Sequence, residues 1–281
     1  MGVDAMSKWP ALFLVIIYFF LWTMTIGLAA LLGPAVKEIA ALQMLLATFF
    51  IWGITTWWLH RIEGKRPVGL GLVCNQYSLH QLLSGFITGM SLMLFVFGAE
   101  YLTGGLRYQG CNFNLASVGY LGLNLCNGLI ALFLVAINEE LGFRGYMLQK
   151  LSGRYSFWFA ALVSSVLFGT IHLLNFAPGT SVLAIVNITL AGFLFALAYR
   201  QTKALWLPIG IHWGWNYLQG YIIAFPGYVT PAPFTGLLKV SYPSASVWNG
   251  GSFGPEGGLW ATLVLIACCL WLLRAHNPDS L

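Results

Sequence analysis

Asn138-Glu139-Glu140-Leu141-Gly142-Phe143-Arg144-Gly145 decides how the chain is read. Two of the chain's eight acidic residues stand side by side there, directly after a long apolar run, with an arginine four residues behind the second. Around them the chain is 59% hydrophobic and only 7% charged, with a mean hydropathy of +0.79. Soluble domains carry roughly 25% charged residues, so this composition specifies an integral membrane protein. Carboxylates beside lipid are costly and are kept for function or in pairs. The rest of the chain then reads as a container for this pair and for two distant histidines. With so few charges, the net +5 is no nucleic-acid signature, and what matters is where the positive charges sit. The 12 tryptophans suit interfacial belts. Cys74, Cys111, Cys126, Cys268 and Cys269 show neither metal spacing nor an even-numbered disulfide framework.

Outward from the pair, apolar runs cover about 10–32, 39–59, 79–102, 116–137, 157–176, 182–199, 204–225 and 259–273. Each is of the length a transmembrane helix requires, or close to it. The first lacks a cleavage site and is expected to span rather than be removed. The expected fold is all-α: a polytopic transmembrane helical bundle of about eight spans, forming one membrane domain over 1–281 with no internal repeat. Eight spans put both termini on one side. That side carries Lys8, Arg61, Lys65, Arg66, Arg144, Lys150, Arg154, Arg200, Lys203 and Arg274; the other has Lys37, Arg107 and Lys239. Positive residues favour the cytoplasm, so both termini and the Glu-Glu stretch are expected to lie towards it. The 226–258 segment is then an extracytoplasmic loop rich in Gly, Pro and aromatics. It is read as an interfacial aromatic loop, with a lid or partner surface as the alternative. The tail 274–281 has no Cys four from its end, so the chain is not expected to be a prenylation substrate itself.

Three polar clusters interrupt the apolar runs. On a helix Glu140 and Arg144 lie about 40° apart, at the i,i+4 spacing of an ion pair, while Glu139 points about 100° from Glu140. Glu140 is thereby the structural partner of Arg144, leaving Glu139 free for proton transfer or a metal. The bland alternative is a pair of interfacial glutamates capping a cytoplasmic loop. The second cluster is Phe168-Gly169-Thr170-Ile171-His172, with Asn175 nearby; a lone histidine in such a run is more often a hydrogen-bonded structural residue than a catalyst. The third is His212-Trp213-Gly214-Trp215-Asn216, where His212 and Asn216 share a face at i,i+4. Leu207-Pro208-Ile209-Gly210 should weaken the helix just before them.

One glutamate and two histidines on three helices can hold a water, and two arrangements fit. In one, Glu139 and His172 polarise the water, and His212 and Asn216 donate to the oxyanion formed when it attacks a carbonyl. In the other, Glu139, His172 and His212 ligate a zinc whose bound water is the nucleophile. There is no His-Glu-x-x-His, no Gly-x-Ser-x-Gly and no Gly-x-Gly-x-x-Gly, which removes the usual zincin, serine-hydrolase and dinucleotide signatures.

Glu139-Glu140-x-x-x-Arg144-Gly145, then Phe168-x-x-x-His172, then His212-x-x-x-Asn216 resemble the motifs of the CAAX-protease and bacteriocin-processing (CPBP) family of intramembrane peptidases, which includes the type II CAAX prenyl endopeptidases. The resemblance covers roughly 128–220, with 28 residues from Arg144 to His172 and 40 more to His212; the loop 226–258 lies outside it. It implies an eight-helix membrane fold whose site opens to the cytosol at the cell membrane. It also implies peptide hydrolysis in which Glu139 and His172 activate water, His212 and Asn216 stabilise the oxyanion, and Glu140, Arg144 and Phe168 support them. It is compatible with zinc or with none. The implied partners are a peptide or protein substrate, lipidated or not, and the bilayer; nucleic acid is not among them.

Two other classes compete with the peptidase. One is a non-catalytic relative serving as an immunity or scaffold membrane protein, with the motifs kept as a polar core. The other is a proton-coupled transporter, which the lack of a repeat disfavours. Depth is a further constraint. A fourth helix ending at 137 leaves Glu139 at its cytoplasmic end, whereas His172 sits about 15 residues, or roughly 22 Å, into the fifth. A shared water requires those boundaries to move.

Overall fold

The computed structural model describes residues 10–32, 40–64, 70–114, 118–175, 181–227 and 236–275. Lys8, Lys37, Lys65, Arg66, part of the outer loop, and the tail beyond 275 therefore lie outside the described residues, as does the Asn175 side chain.

Among the described residues, eight helices form the bundle. They are α1 (Ala11–Leu32), α2 (Ala40–Arg61), α3 (Ser78–Leu102), α4 (Val118–Ser152), α5 (Phe157–Ile171), α6 (Val182–Thr202), α7 (Trp206–Tyr217) and α8 (Leu259–Ala275). Five of them (α1, α2, α3, α4 and α6) are long and apolar enough to cross a membrane, and α5 and α8 are shorter apolar helices. Large apolar side chains such as Phe49, Leu102 and Leu123 face outwards, as a lipid-solvated surface requires. The chain is a multi-pass integral membrane protein.

The fourth helix corrects a boundary that matters for the site. It does not stop at 137. It runs past the glutamates through a π-helical stretch, Leu141–Leu148, and ends at Ser152. A short turn, 153–156, leads into α5, where Ser156 accepts from the Phe159 amide as N-cap. From that shared turn, Glu139 is 13 residues back along α4 and His172 is 15 residues beyond Phe157. Both lie roughly 20 Å in at an α-helical rise, so the depth mismatch disappears. Hydropathy missed the extension because Glu139, Glu140 and Arg144 are polar by composition yet buried or half-buried in place.

The lower half of α4 is tied down by polar contacts. Trp58 Nε1 donates to the Tyr146 hydroxyl (2.7 Å), which donates to Glu63 Oε1 (2.8 Å), and Lys150 pairs with the other Glu63 oxygen. Higher up, Asn138 donates to Thr48 Oγ1 (2.9 Å).

The tightest seam joins α3 and α7. Gly85 and Gly89 on one helix face Gly210 and Gly214 on the other, each pair at the small-x-x-x-small spacing of close membrane-helix contacts. A Cβ at Gly89 would stand 2.0 Å from the Ile211 carbonyl oxygen, and one at Gly214 would stand 2.0 Å from that of Phe86. His212 lies between the two glycines of α7, so this seam fixes its position. Pro208 does not weaken the helix before His212 as expected. It is the third residue of α7, and proline is tolerated in a first turn, where amides lack intrahelical partners.

On the far side of the bundle, Arg107–Cys111 (β1) and Leu238–Ser241 (β2) pair antiparallel, with Arg107 opposite Ser241 and Tyr108 opposite Val240. The chain then folds inwards. Asn249 accepts from the Ser246 and Gly251 amides and donates to the Gly105 and Ser244 carbonyls. Gly250 takes φ +70°, and a Cβ there would lie 1.9 Å from the Gly254 oxygen. Over its described residues this loop is held to Gly105 and to itself by these contacts.

Candidate active site

The Glu140–Arg144 pair forms as the spacing requires: Arg144 donates to Glu140 Oε1 at 3.0 Å, and both side chains are completely buried. A buried ion pair is tolerable only with further partners, and the fold supplies them. Arg144 Nη2 donates to the Gly192 carbonyl (2.8 Å), where a Cβ at Gly192 would crowd the guanidinium at 3.0 Å. The guanidinium carbon lies 4.5 Å from the Phe168 ring centroid and 5.1 Å from that of Phe195, both within cation–π range. Phe168 is thus part of the arginine's cradle and also meets both histidine rings edge-on, at 5.0 Å for His172 and 5.9 Å for His212.

His212 is buried and clamped. Its ring stacks on Phe195 at 4.9 Å, and its Nδ1 lies 3.1 Å from Glu140 Oε1. A carboxylate oxygen accepts, so Nδ1 carries the proton. The other nitrogen, Nε2, faces Glu139 Oε2 at 3.7 Å. That separation is too long for a hydrogen bond, and Glu139 Oε2 has no other partner among the described residues. The histidine that closely approaches Glu139 is therefore His212. His172 caps α5 with its Nδ1 2.8 Å from the Phe168 carbonyl. A carbonyl can only accept, so Nδ1 is the protonated nitrogen and Nε2 has a free lone pair. Asn216 is half-buried and makes no hydrogen bond among the described residues.

Exposure sorts the group in two. Glu140, Arg144 and His212 are buried and bonded to one another, whereas Glu139, His172 and Asn216 keep part of their surface. The first set can position and the second can meet a water or a ligand. Glu139, His172 and His212, the donors a zinc would need, do not form a metal-holding cluster, and none exists among the described His, Cys, Asp and Glu residues. One nitrogen of each histidine is engaged, that of His212 by Glu140 and that of His172 by the Phe168 carbonyl, which leaves Nε2 of each as the nitrogen that would face a water or a metal.

One acidic residue comes from outside the expected clusters. Glu256 sits in the 3₁₀ turn Pro255–Gly257, just before α8, and accepts from Trp215 Nε1 at 3.1 Å. It is half-buried by surface yet lies deep in the protein, so the surface it keeps opens onto the interior. Desolvation there pushes its carboxyl above the ordinary range, opposed by His172, Trp215, His212 and Gln219 in that order. No sequence motif marks it.

Residues 120–218 match the family described as "Type II CAAX prenyl endopeptidase Rce1-like". The chain is 37% identical over 76 residues to the "Putative membrane peptidase YdiL" of Bacillus subtilis (strain 168), covering 27% of this chain and 28% of that protein. It is 32% identical over 87 residues to an "Uncharacterized 24.3 kDa protein" of Escherichia coli, covering 30% of this chain and 38% of that one. The chain thus spans roughly a third of the length of these curated relatives. Over its central third the chain resembles the CPBP peptidases, and the matched segment holds all three polar clusters.

Proposed function

We propose that the chain is an intramembrane peptidase of the CAAX-protease type, hydrolysing a peptide bond near the cytoplasmic face by water activation. The observation that carries this reading is the complementary state of the two histidines. His172 offers a free Nε2 lone pair, while His212 is backed at Nδ1 by a buried carboxylate. In the proposed reaction a water between Glu139 and His172 gives one proton to Glu139 as it attacks the scissile carbonyl, with His172 Nε2 accepting a hydrogen bond from its other O–H as the second half of the base. His212, held at Nδ1 by Glu140, donates to the oxyanion from Nε2–H once it carries a second proton, together with the Asn216 amide. The proton held by Glu139 then passes to the leaving amine. Arg144 holds Glu140 in place and takes no part in proton transfer. The segment 128–220, which spans the three motifs, is then the catalytic core. The substrate is a peptide or protein, and a lipidated C-terminal peptide suits a site set within helices. The positive-residue bias places both termini, and the opening of the site, on the cytoplasmic side.

The test is a peptidase assay with the full chain in liposomes and an internally quenched farnesylated peptide, with products identified by mass. His172→Gln should lower kcat by about 10²–10⁴-fold, the scale of a lost general base. Wild type leaving every offered peptide intact, while a biological function persists in His172→Gln, would move the chain to the immunity or scaffold class. A metal assay is the companion measurement: stoichiometric zinc whose removal abolishes cleavage would replace the Glu139–His172 water with a metal-bound one.

A further inference from the structure

Glu256 belongs to no motif, lies outside the matched residues 120–218, and has no place in the reaction above. Its surroundings are nonetheless built with care. Asn187, buried on α6, donates to the Glu256 carbonyl (2.8 Å) and the Gly258 carbonyl (2.9 Å), and accepts from Thr262 Oγ1 at 2.7 Å. That fork pins the backbone on both sides of Glu256 to the bundle. The side chain then meets α7. Its donor, Trp215, is three residues from His212, and Gln219, seven residues from His212, lies beside the carboxylate. Offsets of three and seven keep Trp215, Gln219 and His212 on one side of the helix. Gln219 is fully buried, with its amide turned to the Glu256 carboxylate. His172 is the second histidine within electrostatic reach of Glu256.

A buried carboxylate of this kind is costly, and removing its charge commonly stabilises a fold. Trp215 and Gln219 would be equally well served by a neutral amide at 256. The charge itself is therefore what needs a reason, and the groups that it can act on are the two histidines. We infer that Glu256 is a positioning residue for the His172–His212 pair: the inward-turned outer loop floors the site and supplies the negative charge that holds both imidazoles towards it. The site then contains three carboxylates, those of Glu139, Glu140 and Glu256, against the one guanidinium of Arg144. This assignment rests on the peptidase reading only for its kinetic consequence, not for the placement of Glu256 against Trp215 on the side of α7 that carries His212.

Glu256→Gln keeps the shape and still accepts from Trp215, so it isolates the charge. Two measurements on the full chain in detergent test it. In the first, imidazole nitrogen spectra of histidine-labelled protein are compared, with His172 and His212 assigned through His172→Gln and His212→Gln; the two signals should move in Glu256→Gln while those of the other histidines stay. In the second, cleavage of the farnesylated peptide should show kcat down by about tenfold or more with KM within about twofold, and a melting temperature at or above wild type. Unmoved imidazole signals, an unchanged kcat, or a lowered melting temperature accompanying the loss would each overturn the assignment. Shifted signals in a protein that cleaves no peptide would leave Glu256 beside the histidines and remove the peptidase reading instead.

Discussion

The central segment 120–218 and the outer turn 244–258 reach the same site by opposite means. The segment presents Glu139, Glu140, Arg144, His172, His212 and Asn216 from three helices at fixed helical spacings, clamped against α3 by apposed glycines. The turn has no periodic pattern at all. It brings Glu256 in through positive-φ glycines, an Asn249 knot and the Asn187 fork. The segment is the part that matches the Rce1-like family, and the turn lies outside that match. Chemistry is set by spacing along helices, whereas the floor of the site is set by a turn whose only signature is tertiary.

Substitutions can break or sharpen that contrast. Gly214→Leu should have the largest effect. Its Cβ alone meets the Phe86 oxygen at 2.0 Å, so a cost above about 4 kcal/mol is expected, read as loss of monodisperse protein in detergent. Arg144→Ala comes next. It leaves Glu140 and His212 without the guanidinium in a fully buried setting, worth about 3–5 kcal/mol, seen as a large drop in melting temperature. Asn187→Ala should cost about 1–3 kcal/mol. It frees the outer turn while leaving the segment folded, so proteolytic cleavage should appear near 250–258 first. Heat resistance of Glu256→Gln gives the smallest effect and the opposite sign. Burial raises the Glu256 carboxyl, so ionisation costs the fold stability as pH rises above the ordinary carboxylate range. The variant should therefore gain on wild type towards alkaline pH and lose that advantage in acid.

Much of the segment was legible in the sequence. Hydropathy placed the helices to within about five residues, except that it ended the fourth at 137 and carried the seventh to 225, where the α-helix stops at Tyr217 and a π-helical stretch, Leu218–Ile223, follows. The helical turn angle paired Glu140 with Arg144 and set Glu139 apart, and the structure has a buried ion pair beside a Glu139 oxygen that is buried and takes no hydrogen bond among the described residues. The glycine seam could also have been found, because Gly85-x-x-x-Gly89 and Gly210-x-x-x-Gly214 are written in plain spacing. The π-helical stretch at Leu141–Leu148 had no such signal, since its register depends on packing around Arg144. Nor did Glu256, a single acidic residue among glycines and prolines, whose meaning appears only when α6 and α7 close on it.

The central claim is that Glu139, free of the ion pair beside it, takes the proton from the attacking water. Cleavage of the quenched farnesylated peptide by wild type and Glu139→Gln in liposomes tests it most directly, with melting temperatures measured in parallel. The account predicts that Glu139→Gln keeps the wild-type melting temperature within a few degrees and loses about 10³-fold in kcat. Cleavage by Glu139→Gln at the wild-type rate would contradict it.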